Sequence, residues 1–158
     1  MVDKADSFYI KEHADIVVVS AGGYPKDIDF YQASKALINA KEAVKKDGVI
    51  ILIAQCIEGF GGDEVRQMLE EFNDNYSREI ALREIFSIAK YTGYLIAEIA
   101  ECYHVIIVSS LNSKLLRNSN IKSAADVNEA LAIAMEQKGM DAKIYLMPNG
   151  ANTLPSLI

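Results

Sequence analysis

A three-layer α/β sandwich with a small, mostly parallel sheet of about four strands is the fold that this 158-residue chain predicts. Three observations carry that reading. Short apolar runs rich in β-branched residues lie at 14–19, 49–54, 105–109 and 142–147, and near-continuous apolar runs of this length suit strands covered on both faces. Between them stand stretches with an apolar residue every three or four positions, the period of a helix packed along one side. Each run is followed by a polar or glycine-containing loop, as alternating strands and helices require.

Taken in order, residues 1–13 are mixed and polar and read as an arm or a severed interdomain linker, leaving 14–158 as a single α/β domain. Ala14-Asp15-Ile16-Val17-Val18-Val19 is the first strand and ends near Ser20. In the turn that follows, Gly22 and Gly23 permit positive φ, and Pro25 steers Tyr24 away from helical geometry. Asp29 then caps a helix, with Gln32 completing a capping box. Its stripe is Phe30, Ala33, Leu37, Ala40 and Val44, and Lys45-Lys46-Asp47-Gly48 is its stop. Residues 49–54 form the second strand, and a right-handed crossover makes it parallel to the first.

A second glycine loop, Gln55-Cys56-Ile57-Glu58-Gly59-Phe60-Gly61-Gly62-Asp63, matches neither the dinucleotide nor the Walker spacing. Helices are expected over 63–72, 78–90 and 94–103, broken at Asn73-Asp74-Asn75 and at Thr92-Gly93. The third strand covers 105–109, and a short helix follows at 113–117. Ser123-Ala124-Ala125-Asp126 opens a helix striped by Val127, Leu131, Ala134 and Met135 and ended by Lys138-Gly139. The fourth strand, 142–147, leads into a last loop over 148–155. The whole is Rossmann-like and doubly wound, with expected strand order 2-1-3-4.

Composition narrows the function. Hydrophobic residues make up 51% and charged residues 24%, proportions of a globular protein, and no apolar run reaches membrane-span length. The opening Met1-Val2-Asp3-Lys4-Ala5-Asp6 lacks the basic-then-apolar layout of a secretory signal, so a cytoplasmic location is expected. A net charge of -6 argues against a nucleic-acid partner, whose phosphates demand clustered Lys and Arg. Cys56 and Cys102 read as core thiols, and His13 and His104 stand alone. A metal site built by this chain alone is therefore not expected.

The chemistry concentrates on the helix after the first glycine turn. Tyr31, Gln32 and Lys35 fall off its apolar stripe, within its first two turns. A helix following a parallel strand starts at the carboxyl edge of the sheet, where open α/β sheets hold ligands, and its side chains lean back toward that edge. An amine, a phenol and an amide would then share one crevice. Spacing alone leaves open that they are only the solvated side of a surface helix.

Ser20-Ala21-Gly22-Gly23-Tyr24-Pro25-Lys26-Asp27, followed by Phe30-Tyr31-Gln32-Ala33-Ser34-Lys35-Ala36-Leu37, resembles the nickel-pincer lactate racemase family in its C-terminal domain. The likeness continues through 47–61 and ends at Pro148-Asn149-Gly150-Ala151-Asn152-Thr153-Leu154-Pro155. It implies inversion of a small 2-hydroxy acid such as lactate, by hydride transfer through a keto acid, with a nickel-pincer nucleotide as cofactor. In such enzymes the cofactor anchor, the nickel ligand and the acid/base histidines belong to an N-terminal catalytic domain, which becomes the implied partner. The family element Tyr-Gln-x-x-Lys matches Tyr31, Gln32 and Lys35. By that match Lys35 and Gln32 act in catalysis, while Tyr31, Gln32 and Lys35 contact substrate or cofactor. Tyr94 occupies a region where the family often has an aromatic or histidine side chain. The isolated chain is expected to be inactive and to bind no cofactor by itself. The competing readings are a stand-alone α/β module that binds a nucleotide or partner without catalysis, and a relative acting on another 2-hydroxy acid.

Overall fold

The computed structural model describes residues 6–158, so the first five residues of the expected arm lie outside the described residues. The elements in chain order are β1 (Asp6–Ile10), β2 (Ala14–Ser20), α1 (Phe30–Ala40), β3 (Val44–Ile53), α2 (Asp63–Glu70), α3 (Asn75–Glu84), α4 (Ile88–Cys102), β4 (His104–Val108), β5 (Lys122–Ala124), α5 (Val127–Lys138), β6 (Ile144–Met147) and β7 (Thr153–Leu157). Five of the strands form one parallel sheet, ordered β5-β4-β3-β2-β6. Its middle strands are buried because successive side chains enter opposite apolar layers. Val17, Val19, Ile50 and Leu52 meet α1, α2 and α4 on one face. Ile16, Val18, Val49 and Ile51 meet α5 on the other. The three-layer α/β architecture is thus as the sequence predicts.

The strand order differs from the expected 2-1-3-4. Among the same four runs it is 3-2-1-4, because β2, β3 and β4 step in one direction before the chain returns to place β6 on the far side of β2. The short β5 adds an edge. Direction therefore reverses between β2 and β6, and the crevice of a doubly wound sheet belongs at that switch point.

Residues 6–10, expected within the arm, are a strand, and the tail, expected as a loop, supplies its partner. They pair in parallel as a two-stranded sheet, with Ser7 opposite Leu154 and Tyr9 opposite Ser156. Neither segment has a period of its own to announce a strand.

Two boundaries also move. The first helix stops at Ala40, one 3-10 turn over Lys41–Ala43 follows, and Val44 already pairs with Ala14. Val44 is apolar and buried in either geometry, so it extends a helical stripe without being helical. In the crossover, Thr92 and Gly93 lie inside α4, and the break falls before Ser87, whose side chain accepts a hydrogen bond from Lys90 N. Gly93 serves packing instead of a turn. A Cβ there would stand 2.7 Å from Met68 Cβ, so its absence lets α2 and α4 approach closely.

Beneath this crossover Arg78 is 1% exposed. Its guanidinium donates to Met68 O at 2.7 Å, Phe72 O at 2.6 Å, Asn118 O at 2.8 Å and Asn75 Oδ1 at 3.0 Å, and lies 3.6 Å from Glu101 Oε1. One side chain thus ties the end of α2, the start of α3 and the segment before β5. The two thiols, both expected in the core, part company: Cys56 is buried, but Cys102 is exposed at the last residue of α4. Burial, then the carboxylates of Asp29 and Asp27, push the Cys56 thiol up to about 12.

Arg78→Met removes the donors for three buried or half-buried carbonyls, and urea unfolding should show a loss of about 2–4 kcal/mol. Brief iodoacetamide treatment of the native protein should label Cys102 and spare Cys56, as peptide mass spectrometry would show; equal labelling would contradict the placement of Cys56.

Candidate functional site

The first helical turn of α1 is held by the loop after β3. Cys56 N donates to Asp27 O at 2.7 Å and Glu58 N to Ile28 O at 2.9 Å. In return, Phe30 N donates to Gly59 O at 2.9 Å and Tyr31 N to Phe60 O at 3.2 Å. The two glycine loops are therefore laced backbone to backbone. Asp29 is the N-cap as expected, its side chain accepting from Gln32 N at 2.7 Å. Gly61 closes the joint. With φ of +77° it suits no ordinary side chain, and a Cβ there would stand 2.6 Å from Asp29 Cγ and 2.8 Å from Tyr31 Cβ.

The other carboxyl-edge segments join this centre. Ser110 N donates to Gln55 O at 2.9 Å, with Ser110 Oγ bonding the same carbonyl. Asn39 Nδ2 donates to Gly150 O at 2.8 Å, fastening α1 to the segment after β6. Loops following β2, β3, β4 and β6 thus converge where the order of the sheet reverses.

Within this frame Gln32 and Lys35 come together, and Tyr31 stands on the same opening turns of α1. Tyr31 is half-buried, its ring body packed on the core. Gln32 is half-buried and Lys35 exposed, and Lys35 Nζ donates to Gln32 Oε1 at 2.7 Å. An ammonium has three donors, so this bond leaves capacity for an incoming oxygen anion. The helix end does not offer that capacity itself. The N–H groups of Phe30, Tyr31 and Gln32 are already bound to Gly59 O, Phe60 O and the Asp29 carboxylate, so a phosphate would find no open donor nest there. Asp27, Asp29 and Glu58 line the laced loops, and the cations there are Lys26 of the first loop and Lys35 of α1. Burial, followed by the carboxylates of Asp29 and Asp27, disfavours a thiolate at Cys56.

Tyr94 is not part of this group. It lies on the flank of α4 turned to α3, sharing a shallow hollow with Glu79, Leu82, Arg83 and Phe86. Its hydroxyl stands 3.5 Å from Glu98 Oε1, and burial followed by that carboxylate raises the phenol. Among the described residues, no group of three or more His, Cys, Asp or Glu side chains is placed to hold a metal ion.

The lacing between the loops is the functional feature that sequence reasoning did not find. Backbone groups do the bonding, so it has no side-chain signature. The only signal was the density of glycine in both loops.

Comparison with known proteins supports the fold. The family model described as the lactate racemase C-terminal domain matches residues 10–154. The lactate racemase of Thermoanaerobacterium thermosaccharolyticum is 32% identical over 149 residues, covering 89% of this chain and 34% of that protein. That of Lactiplantibacillus plantarum is 31% identical over 147 residues, with the same 89% and 34% coverage. The solved lactate racemase apoprotein from T. thermosaccharolyticum superposes with a TM-score of 0.86 at 30% identity, over 96% of this chain and 37% of that one. A Thermotoga maritima protein at 16% identity and TM-score 0.59 shares the fold alone. The chain spans about a third of the length of its curated relatives, and it belongs to the lactate racemase C-terminal domain family.

Proposed function

We propose that this chain is the wall of a 2-hydroxy acid racemase that covers substrate and cofactor, with lactate the expected substrate and the cytoplasm the expected location. The observation that carries the reading is the lysine and amide paired at 2.7 Å on the exposed face of α1, in the helix that follows the strand at which the sheet order reverses. Lys35 binds the substrate carboxylate. A compact ammonium on a flexible stem suits that task, because it can leave Gln32 Oε1 for a stronger, charged acceptor. Gln32, released from Lys35, orients a hydroxyl or amide on the ligand, and Tyr31 provides an apolar wall with one hydroxyl. As these partners displace water, the Lys35 charge acts through a lower dielectric and stabilises negative charge more strongly.

In the racemase family a nickel-pincer nucleotide supplies the hydride chemistry that passes through a keto acid. The amine, amide and phenol of α1 fit the oxygens of such a ligand and of its substrate. They do not fit the nickel, which wants the soft or imidazole ligands of a different donor set. Its ligands, and the acid/base groups, are assigned to polypeptide that the relatives carry beyond the matched third. Tyr94 contributes only if α3 and α4 face the bound ligand, so its expected effect is smaller than that of Lys35.

Two measurements test this. Residues 1–158 alone, supplied with nickel and lactate, should give no racemisation by chiral chromatography, and measurable turnover would overturn the division of labour. In a chimera carrying this chain in place of the matched third of the T. thermosaccharolyticum racemase, Lys35→Ala should lower kcat/KM by about 10²-fold or more. Lys41→Ala, on the same face of the sheet but beyond the end of α1, should stay within about twofold, the range of an exposed ion-pair change. Equal losses would remove Lys35 from the site.

A further inference from the structure

The sheet ends at β6, which pairs only with β2 among the described residues. Beside that open edge a groove of about 550 Å³ runs between β6 and the β1–β7 ribbon. Its walls are mostly apolar and exposed, Phe8 by 61%, Tyr9 by 65% and Leu146 by 74%, with Lys11, Glu12 and Lys143 also in the lining. At one end Lys143 Nζ pairs with Glu12 Oε1 at 2.6 Å, and Tyr145 Oη donates to Glu12 O at 2.8 Å. These bonds hold the ribbon beside β6 without filling the space.

Three features identify the occupant. Between Lys143 and Pro148, the strand Ile144-Tyr145-Leu146-Met147 itself carries neither charge nor proline, the devices that protect an exposed edge from pairing along its length. One wall is thus a row of backbone donors and acceptors, which an extended chain satisfies and a compact small molecule does not. The match to the family begins in β1 and ends in β7, and these two strands form the far wall of the groove. In the relatives, about two-thirds of the polypeptide lies outside the matched stretch and can join it only at these strands. Such polypeptide is tethered next to the groove and reaches it at high effective concentration.

We propose that the groove seats an extended segment of the polypeptide that full-length lactate racemases carry outside the matched third, added to the open edge of β6 as a further strand. Its apolar side chains pack between Leu146 and the Phe8–Tyr9 wall. The inference rests on the reading of this chain as one domain of a larger racemase.

Hydrogen–deuterium exchange by mass spectrometry tests it, on the free chain and on the chimera described above. In the chimera, peptides covering 143–148 and 7–11 should exchange at least tenfold more slowly than in the free chain, while β3 peptides are unchanged. Leu146→Lys in the chimera should return the β6 peptides to the rate of the free chain. Equal rates in the two proteins would overturn the proposal. So would protection in the free chain that grows with concentration alongside a dimer in sedimentation, since the occupant would then be a second copy. If the chimera does not assemble, the same comparison of edge strand against β3 is made on the intact T. thermosaccharolyticum racemase, where an unprotected edge counts equally against it. Exchange at β6 does not depend on Lys35, so this proposal and the active-site reading fail separately.

Discussion

The backbone lacing between the loops after β2 and β3 is the constraint on which the rest of the site depends. Four hydrogen bonds, two in each direction, join residues 27–31 to 56–60. Each is modest in net stability, about 1 kcal/mol, but together they fix the position and rotation of the first turn of α1. Rotation about the axis decides which side chains face the core. Because Phe30, Ala33 and Leu37 are fully buried, Tyr31, Gln32 and Lys35 are left at the carboxyl edge with little freedom to turn away. The edge-to-face contact of Phe30 with Phe60, at 6.2 Å between ring centroids, joins the same two loops through side chains.

The lacing also sets the electrostatics. A free helix N-terminus attracts anions through unpaired N–H groups and the axial dipole. Here the donors of the first turn are spent on carbonyls and on Asp29, and the loops themselves carry carboxylates. The first turn of α1 therefore offers an anion no open cradle of backbone donors, and the cations of this helix turn and the loop before it are Lys35 and Lys26.

What could be read in the sequence was whatever side chains announce. The Asp29 cap, the stripe of α1 from Phe30 to Ala40, the opening of α5 after Asp126 and the apolar parallel strands are all local patterns, and the structure reproduces them. The strand order was misread because 2-1-3-4 and 3-2-1-4 need the same elements and loop lengths. Only the packing of the long crossover, with α4 against α1 and β4, decides between them. Thr92-Gly93 looked like a break because a glycine serving close helix contact is indistinguishable by type from one serving a turn. Cys102 looked buried because its neighbours are apolar, yet it ends α4 on the outer side. The β1–β7 pair is non-local, with partners near opposite ends of the chain, so neither half carried a signal.

The misread order matters most for the site. With 2-1-3-4, the first strand would have sat between the second and third, and the loop after it would have been flanked by the loops of 55–63 and 109–113. In the observed sheet β2 lies between β3 and β6. The loop after β3 laces one side of the α1 turn, while Asn39 ties α1 to Gly150 on the other. The 109–113 loop reaches the turn only at second hand, through Ser110 on Gln55. The segment after β6 is thus bonded to α1, and β6 is also the strand with the open edge. Reversing the strand order at β2 puts the open edge on β6, beside β2, and the segment that follows β6 is bonded to α1 through Asn39, so a segment docking on that edge would lie next to a strand tied to α1.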